Sequence, residues 1–210
     1  MDPNELANQE MEIGRLLLAR SEFDDAILCF NKAIEINPLN SDAFFERGNT
    51  HAQSGEDQLA IEDFSKAIDL NPGHFMAHYR RGVMYGIIDQ YQDAIADYSM
   101  TIEINRRFAD AFIGRASTFA MLGQLDRAVQ DYSDAIAAAP EEACAYYFRG
   151  TAHSRLHKYE QAIADFNRAI SLNPDDDKAY YRRGLANVEH GEYKRAVYDF
   201  TDAIRLNSRS

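Results

Sequence analysis

One interval governs this chain. Pro38, Pro72, Pro140 and Pro174 lie 34, 68 and 34 residues apart, so a period of 34 runs through the sequence with one proline missing, at Arg106. Ala26, Ala60, Ala94, Ala128, Ala162 and Ala196 keep that spacing without a gap, and so do Phe30, Phe64, Tyr98, Tyr132, Phe166 and Phe200. Self-similarity at this period means that one small supersecondary unit is repeated and stacked, each copy burying its apolar face on the next, in place of a single conventional core. After a lead-in of residues 1–6, units 7–40, 41–74, 75–108, 109–142, 143–176 and 177–210 tile the chain as one array.

Each unit reads as two antiparallel helices. In the fifth, ACAYYFRGTAHSRL supplies the first and KYEQAIADFNRAISL the second, with apolar residues three and four apart in both. Gly55, Gly123 and Gly191 mark the turn between helices, where a positive φ is open to glycine. Asp89 and His157 stand at that place in the third and fifth units, and both types tolerate it better than branched residues. Asn-Pro closes three of the six second helices and Ala139-Pro140 a fourth, because a residue before proline avoids the α region. No strand pattern competes, so the spacing predicts an all-α solenoid of six helix pairs. The third unit lacks its closing proline and has Thr101 where the others have Ala, which predicts a looser or bent junction with the fourth.

Two opposite charges sit where the apolar stripes ask for core. Arg47, Arg81, Arg115, Arg149 and Arg183 recur at the repeat interval, and Asp63, Asp97, Asp131, Asp165 and Asp199 follow them by sixteen residues. The first unit has Ile13 and Cys29 at these places, so both charges are present together or absent together. The simplest account is a structural ladder of ion pairs, bridging the two helices of a unit or two neighbouring units. Such pairs demand good geometry, and removing one partner strands the other. The alternative is an exposed arginine row that grips acidic ligands.

A small residue, an aromatic, a turn glycine, then Ala, Phe or Tyr, Ala and Pro at these offsets resembles the tetratricopeptide repeat, across residues 7–210. The resemblance implies a right-handed superhelix whose first helices line a concave groove, and the job of holding a peptide or another protein. The place where that family often has Trp carries Glu10, Phe44, His78, Phe112, Tyr146 and Tyr180. Glu10 suits a first unit whose outer face meets water. Carried onto this chain, one inward row is Met11, Phe45, Tyr79, Ile113, Tyr147 and Tyr181, and the next is Arg15, Asn49, Val83, Ser117, Thr151 and Leu185. Inner-face charges divide, with Glu12, Asp42 and Glu46 toward one end and Arg155, Lys178 and Arg182 toward the other, while Arg80 and Glu189 break the trend. Lys178 and Arg182 match two places of the family's carboxylate clamp, but Ile113, Ser117 and Thr151 lack its Lys and Asn. An asparagine ladder fails too, since only Asn49 would contribute.

Chemistry of other kinds finds little support. His74/His78 and His153/His157 have a spacing that could bind metal on a helix, but no HExxH pattern or nearby Cys ligand accompanies them. No phosphate loop, dinucleotide fingerprint or nucleophile elbow occurs. Neither an enzyme, nor a cofactor, nor a bound metal is expected. A formal charge of −12 argues against nucleic acid and anionic membrane surfaces. No apolar run approaches the ~20 residues that span a bilayer. MDPNELANQE lacks the features of a signal peptide and Cys29 and Cys144 cannot make a disulfide framework, so the cytoplasm is the default compartment. The expected function is a non-catalytic scaffold or adaptor holding a partner peptide or helix in the groove. The competing expectation is self-assembly through ends of the array, where Tyr198, Phe200 or Ile204 would lie uncovered.

Overall fold

Asn40 and Asp176 each precede a first helix, and their side-chain oxygens accept from the backbone N–H groups of Asp42 and Ala43, and of Lys178 and Ala179. Caps of this kind satisfy donors that a helix start leaves orphaned. The computed structural model describes residues 3–208, and their regular structure is entirely helical. In chain order the helices are α1 (Pro3–Ala19), α2 (Phe23–Ile36), α3 (Ser41–Ser54), α4 (Asp57–Leu70), α5 (Phe75–Ile87) and α6 (Tyr91–Ile104), then α7 (Ala109–Met121), α8 (Leu125–Ala138), α9 (Ala143–Arg155), α10 (Tyr159–Leu172), α11 (Asp177–Glu189) and α12 (Tyr193–Asn207). They form six antiparallel pairs packed in sequence order. α1 begins at Pro3 and so takes in most of the lead-in.

The turns follow the spacing. Gly55, Gly123 and Gly191 have φ of 84°, 75° and 86°, and Asp89 and His157 adopt 60° and 58° at the same place. Ser21 does so in the first pair, at 61°, which its residue type did not announce. Second helices end at Asn37, Asn71 and Asn173 with φ near −133° to −138°, the extended backbone that a following proline requires. Asn105 keeps the same geometry, φ −131° and ψ 89°, although Arg106 follows it in place of proline.

The helices group into two compact units that divide between Asn105 and Arg106, where the proline is missing. Within the first unit, α1 touches α3 and α3 touches α5, whereas α2, α4 and α6 make no such contacts with one another. The second unit repeats this, with α7, α9 and α11 in mutual succession. Helices that approach on one side and splay on the other put α1, α3 and α5, and likewise α7, α9 and α11, on the inner face of their unit.

Small residues permit the packing inside each pair. The repeat alanines from Ala26 to Ala196 are buried, and Phe30, Phe64 and Phe166 have no exposure at all. A Cβ on Gly48 would stand 2.9 Å from the Phe64 ring, so only glycine lets α3 approach α4 this closely. Thr101, at an alanine place, is fully buried and donates to the carbonyl of Asp97 at 2.9 Å. Glu10 departs from the expectation of a water-facing residue: its side chain is 19% exposed, with the Lys32 Nζ on α2 at 3.8 Å. Met11, expected to point into the groove, is buried with Ala26, Phe30, Ala33 and Ala43.

Candidate functional site

The charged ladder is built between the two helices of every pair but the first. Arg47 donates from Nε and Nη2 to the two oxygens of Asp63 at 2.8 and 2.6 Å. Arg81 reaches Asp97 at 2.8 and 2.8 Å, Arg115 reaches Asp131 at 2.7 and 2.9 Å, and Arg149 reaches Asp165 at 3.0 and 2.6 Å. In the last pair Arg183 places both bonds on one oxygen of Asp199, because the Asn187 amide donates to the other at 2.8 Å. All five aspartates are buried. Burial alone would raise the Asp97 pKa, but hydrogen bonds from Arg81 and His78 outweigh it and hold the carboxyl below the usual carboxylate range.

A third contact was not foreseen. Nη1 of Arg47 donates to Asn31 Oδ1 at 2.6 Å and that of Arg81 to Ser65 Oγ at 2.9 Å; in the second unit Arg149 reaches Ser133 Oγ at 3.0 Å and Arg183 reaches Asn167 Oδ1 at 2.7 Å. Each of these guanidinium groups therefore joins its own pair to the second helix of the pair before it. Asn31, Ser65, Ser133 and Asn167 also recur at the repeat interval, a signal hidden by their differing types.

On the first unit's inner face the expected groove residues are half-buried. Phe45 lies 5.8 Å from the Phe64 ring and 4.6 Å from His74, and Val83 packs with Phe64 and Met84. Tyr79 meets the Tyr98 ring at 5.9 Å, and Asn49 is half-buried on the same face. Arg15 bonds Glu46 at 2.9 Å and Glu12 at 3.0 Å, which neutralises two of the three expected acidic groups.

The second unit presents more open surface. Ile113, Ser117, Tyr147 and Thr151 are half-buried, but Tyr181 is 50% exposed and Leu185 37%. Arg155, Lys178 and Arg182 are exposed. Tyr181 and Leu185 border a cleft of about 580 Å³ between α11 and α12 with Phe200, Ala203 and Ile204. A second cleft, of about 210 Å³, lies between α7 and α9 over Tyr132 and includes Ser117, Thr151 and Arg155. Met121 and Phe148, which the inward rows omitted, line it as well. Phe148 directly follows a row residue and stacks on Tyr132 at the cleft.

The remaining polar candidates are held by the fold. His74 Nδ1 accepts from the Ala77 N–H as a helix cap, and His78 is buried with its ring nitrogens 3.2 Å from Asp97 Oδ1 and the Pro72 carbonyl. Burial pushes the Cys144 thiol up to about 12, aided by its hydrogen bond to Glu142, and burial with Glu10 nearby raises Cys29. Neither forms the reactive thiolate near neutral pH. Among the described residues no helix is long and apolar enough to cross a membrane.

Models of the tetratricopeptide repeat match residues 143–176, and residues 11–75 together with 88–143. No curated protein sequence matches the chain. Among solved structures, a crystal structure of MamA is similar at 25% identity with a TM-score of 0.73, covering 77% of this chain and 95% of that one. YrrB, described as a TPR protein with an unusual peptide-binding site, has 20% identity and a TM-score of 0.72 over 84% of this chain and 91% of its own. PilF of Pseudomonas aeruginosa shares 14% identity with a TM-score of 0.84, covering all of this chain and 96% of its own. With matches over most of its length and the helix pairs in place, the chain belongs to the tetratricopeptide-repeat family, a family of protein-interaction scaffolds.

Proposed function

We propose that the chain holds a peptide or helix of another protein on the inner face of its second unit. The observation that carries this is the contrast between the units. In the first, inward side chains pack on the core and Arg15 pairs with its acidic neighbours. In the second, Tyr181 and Leu185 stay open beside a large apolar cleft, and Lys178 and Arg182 have no carboxylate within ion-pair distance among the described residues. Rigid aromatic and aliphatic area beside unpaired cations is the composition of a binding hot spot. The five arginines of the ladder each give two donors to a buried aspartate, which supports a structural role for them. The peptide-binding description of YrrB is in keeping with the reading at the level of the fold.

The test is a peptide selected from a random display library on the whole chain, measured against Tyr181→Ala with Arg182→Glu. Both positions are exposed, so the variant should melt with the wild type. Loss of binding by about tenfold or more supports the site; unchanged affinity removes it.

A second reading is self-association. Leu6, Ile13 and Leu16 on α1 and Val197, Tyr198 and Ile204 on α12 are exposed apolar residues. Complementary patches at different places on one molecule make open-ended contacts. A mass that stays monomeric by light scattering across a wide concentration range excludes it.

A further inference from the structure

The cleft between α7 and α9 has aromatic walls and a cation at its mouth. Phe148 stacks on Tyr132 at 5.9 Å with planes 17° apart, and meets Tyr147 edge-on at 5.3 Å. The polar atoms lining it are already paired: Ser117 Oγ with the Tyr132 hydroxyl at 3.0 Å, and Thr151 Oγ1 with its own helix at the Tyr147 carbonyl, 2.9 Å. A side chain entering here meets carbon, and a polar one would give up water for nothing in return. An apolar cavity of about 150 Å³ holds a benzene ring. The cleft's volume of about 210 Å³ therefore suits one aromatic or branched side chain. Phe148 is 38% exposed, and Met121, 69% exposed, can adapt its flexible thioether to either shape.

Arg155 supplies the second half of the site. Its Nη1 donates to the Ala120 carbonyl at 2.9 Å, which anchors the guanidinium at the end of α7. A carbonyl carries no formal charge, so the cation is positioned but not neutralised, and among the described residues no carboxylate pairs with it. Its charge reaches the Tyr132 hydroxyl, where it works against the upward push of burial. The remaining N–H groups form the planar fork that takes a carboxylate through two bonds.

We infer that the segment bound by the second unit carries an acidic–apolar pair: one aromatic, leucine or methionine side chain seated in the α7–α9 cleft, and beside it an Asp or Glu carboxylate on Arg155. This rests on the peptide-binding reading above and adds the chemistry of the ligand. The carboxylate contact lies at an exposed rim, so it governs selection more than total affinity.

Random peptides displayed on phage, selected in parallel on the whole wild-type chain and on Arg155→Glu, test it. The wild type should enrich an apolar residue near Asp or Glu, and Arg155→Glu should enrich Lys or Arg at that place instead. Phe148→Ala should weaken the best wild-type peptide about tenfold by fluorescence polarisation. If that variant melts early, Met121→Glu blocks the same cleft from an exposed position. An acidic preference that survives in Arg155→Glu overturns the inference, as does wild-type affinity in the cleft variants. If those variants bind normally while Tyr181→Ala with Arg182→Glu does not, the inner-face reading stands and only the ligand chemistry falls. Peptides that bind every variant alike, or no enrichment on the wild type, remove both.

Discussion

At the scale of the residue, Arg149 and Asp165 show how a charged pair is held where the pattern asks for core. The aspartate is buried under two guanidinium bonds, so removing the arginine leaves a desolvated charge. Arg149→Ala should destabilise by about 3 kcal/mol, and Arg149→Ala with Asp165→Ala by clearly less, because the double variant strands nothing. Equal losses in denaturant unfolding of the two variants would contradict this. The pair was legible because both residues disappear together from the first unit. The third bond to Asn31, Ser65, Ser133 or Asn167 was not, since a hydroxyl and an amide serve it equally well. Asp97 adds a pH dependence. Its folded pKa is depressed, so its stabilisation is present above the unfolded carboxylate value and is lost as pH falls through the folded one. The stability gap between wild type and Asp97→Asn should therefore be constant near neutrality and shrink below about pH 4.

At the scale of the element, the glycines of the first helices set two effects against each other. Replacing a helical glycine by alanine gains about 1 kcal/mol of propensity, while overpacking costs about 1–3 kcal/mol. At Gly48 the new Cβ meets Phe64, which is wholly buried and has nowhere to move. At Gly184 it meets Phe200 closer still, at 2.6 Å, but that ring is only half-buried and can swing outward. Gly48→Ala should lower stability by about 1 kcal/mol net, and Gly184→Ala should be close to neutral, despite the shorter distance. Thermal melts that rank the two the other way would refute the argument. Periodicity identifies such positions, but not how far the opposite ring can give, which depends on what covers it. The same holds for the inward rows: Phe45 and Tyr181 occupy one repeat position, yet one packs between Phe64 and His74 and the other stands half open.

At the scale of the whole molecule, the repeat period runs past Asn105 without a break, while the fold divides there into two compact units. The second unit has its own buried alanines and aromatics, including the cluster of Ala162, Phe166 and Ala186. Stability in repeat arrays is a sum over units and their nearest neighbours, so a block of three pairs with a core should stand alone. Residues 106–210 expressed by themselves should give a helical circular dichroism spectrum, melt cooperatively and retain the selected peptide. A non-cooperative melt would show that the division at Arg106 is not one of stability.

The sequence alone determined the helix pairs, their turns other than that at Ser21, and the partners in the ladder, because a repeated unit announces each structural requirement several times over at one interval. Proline, glycine and charge act locally, through φ, through the missing Cβ and through a fixed sixteen-residue offset, so their consequences survive without knowledge of the neighbours. Only the tertiary structure decided which inward residues remain open, that Arg155 is anchored but unneutralised, and that Met121 and Phe148 shape a cleft. Exposure and charge compensation are properties of surroundings, and those are supplied by helices distant in the chain.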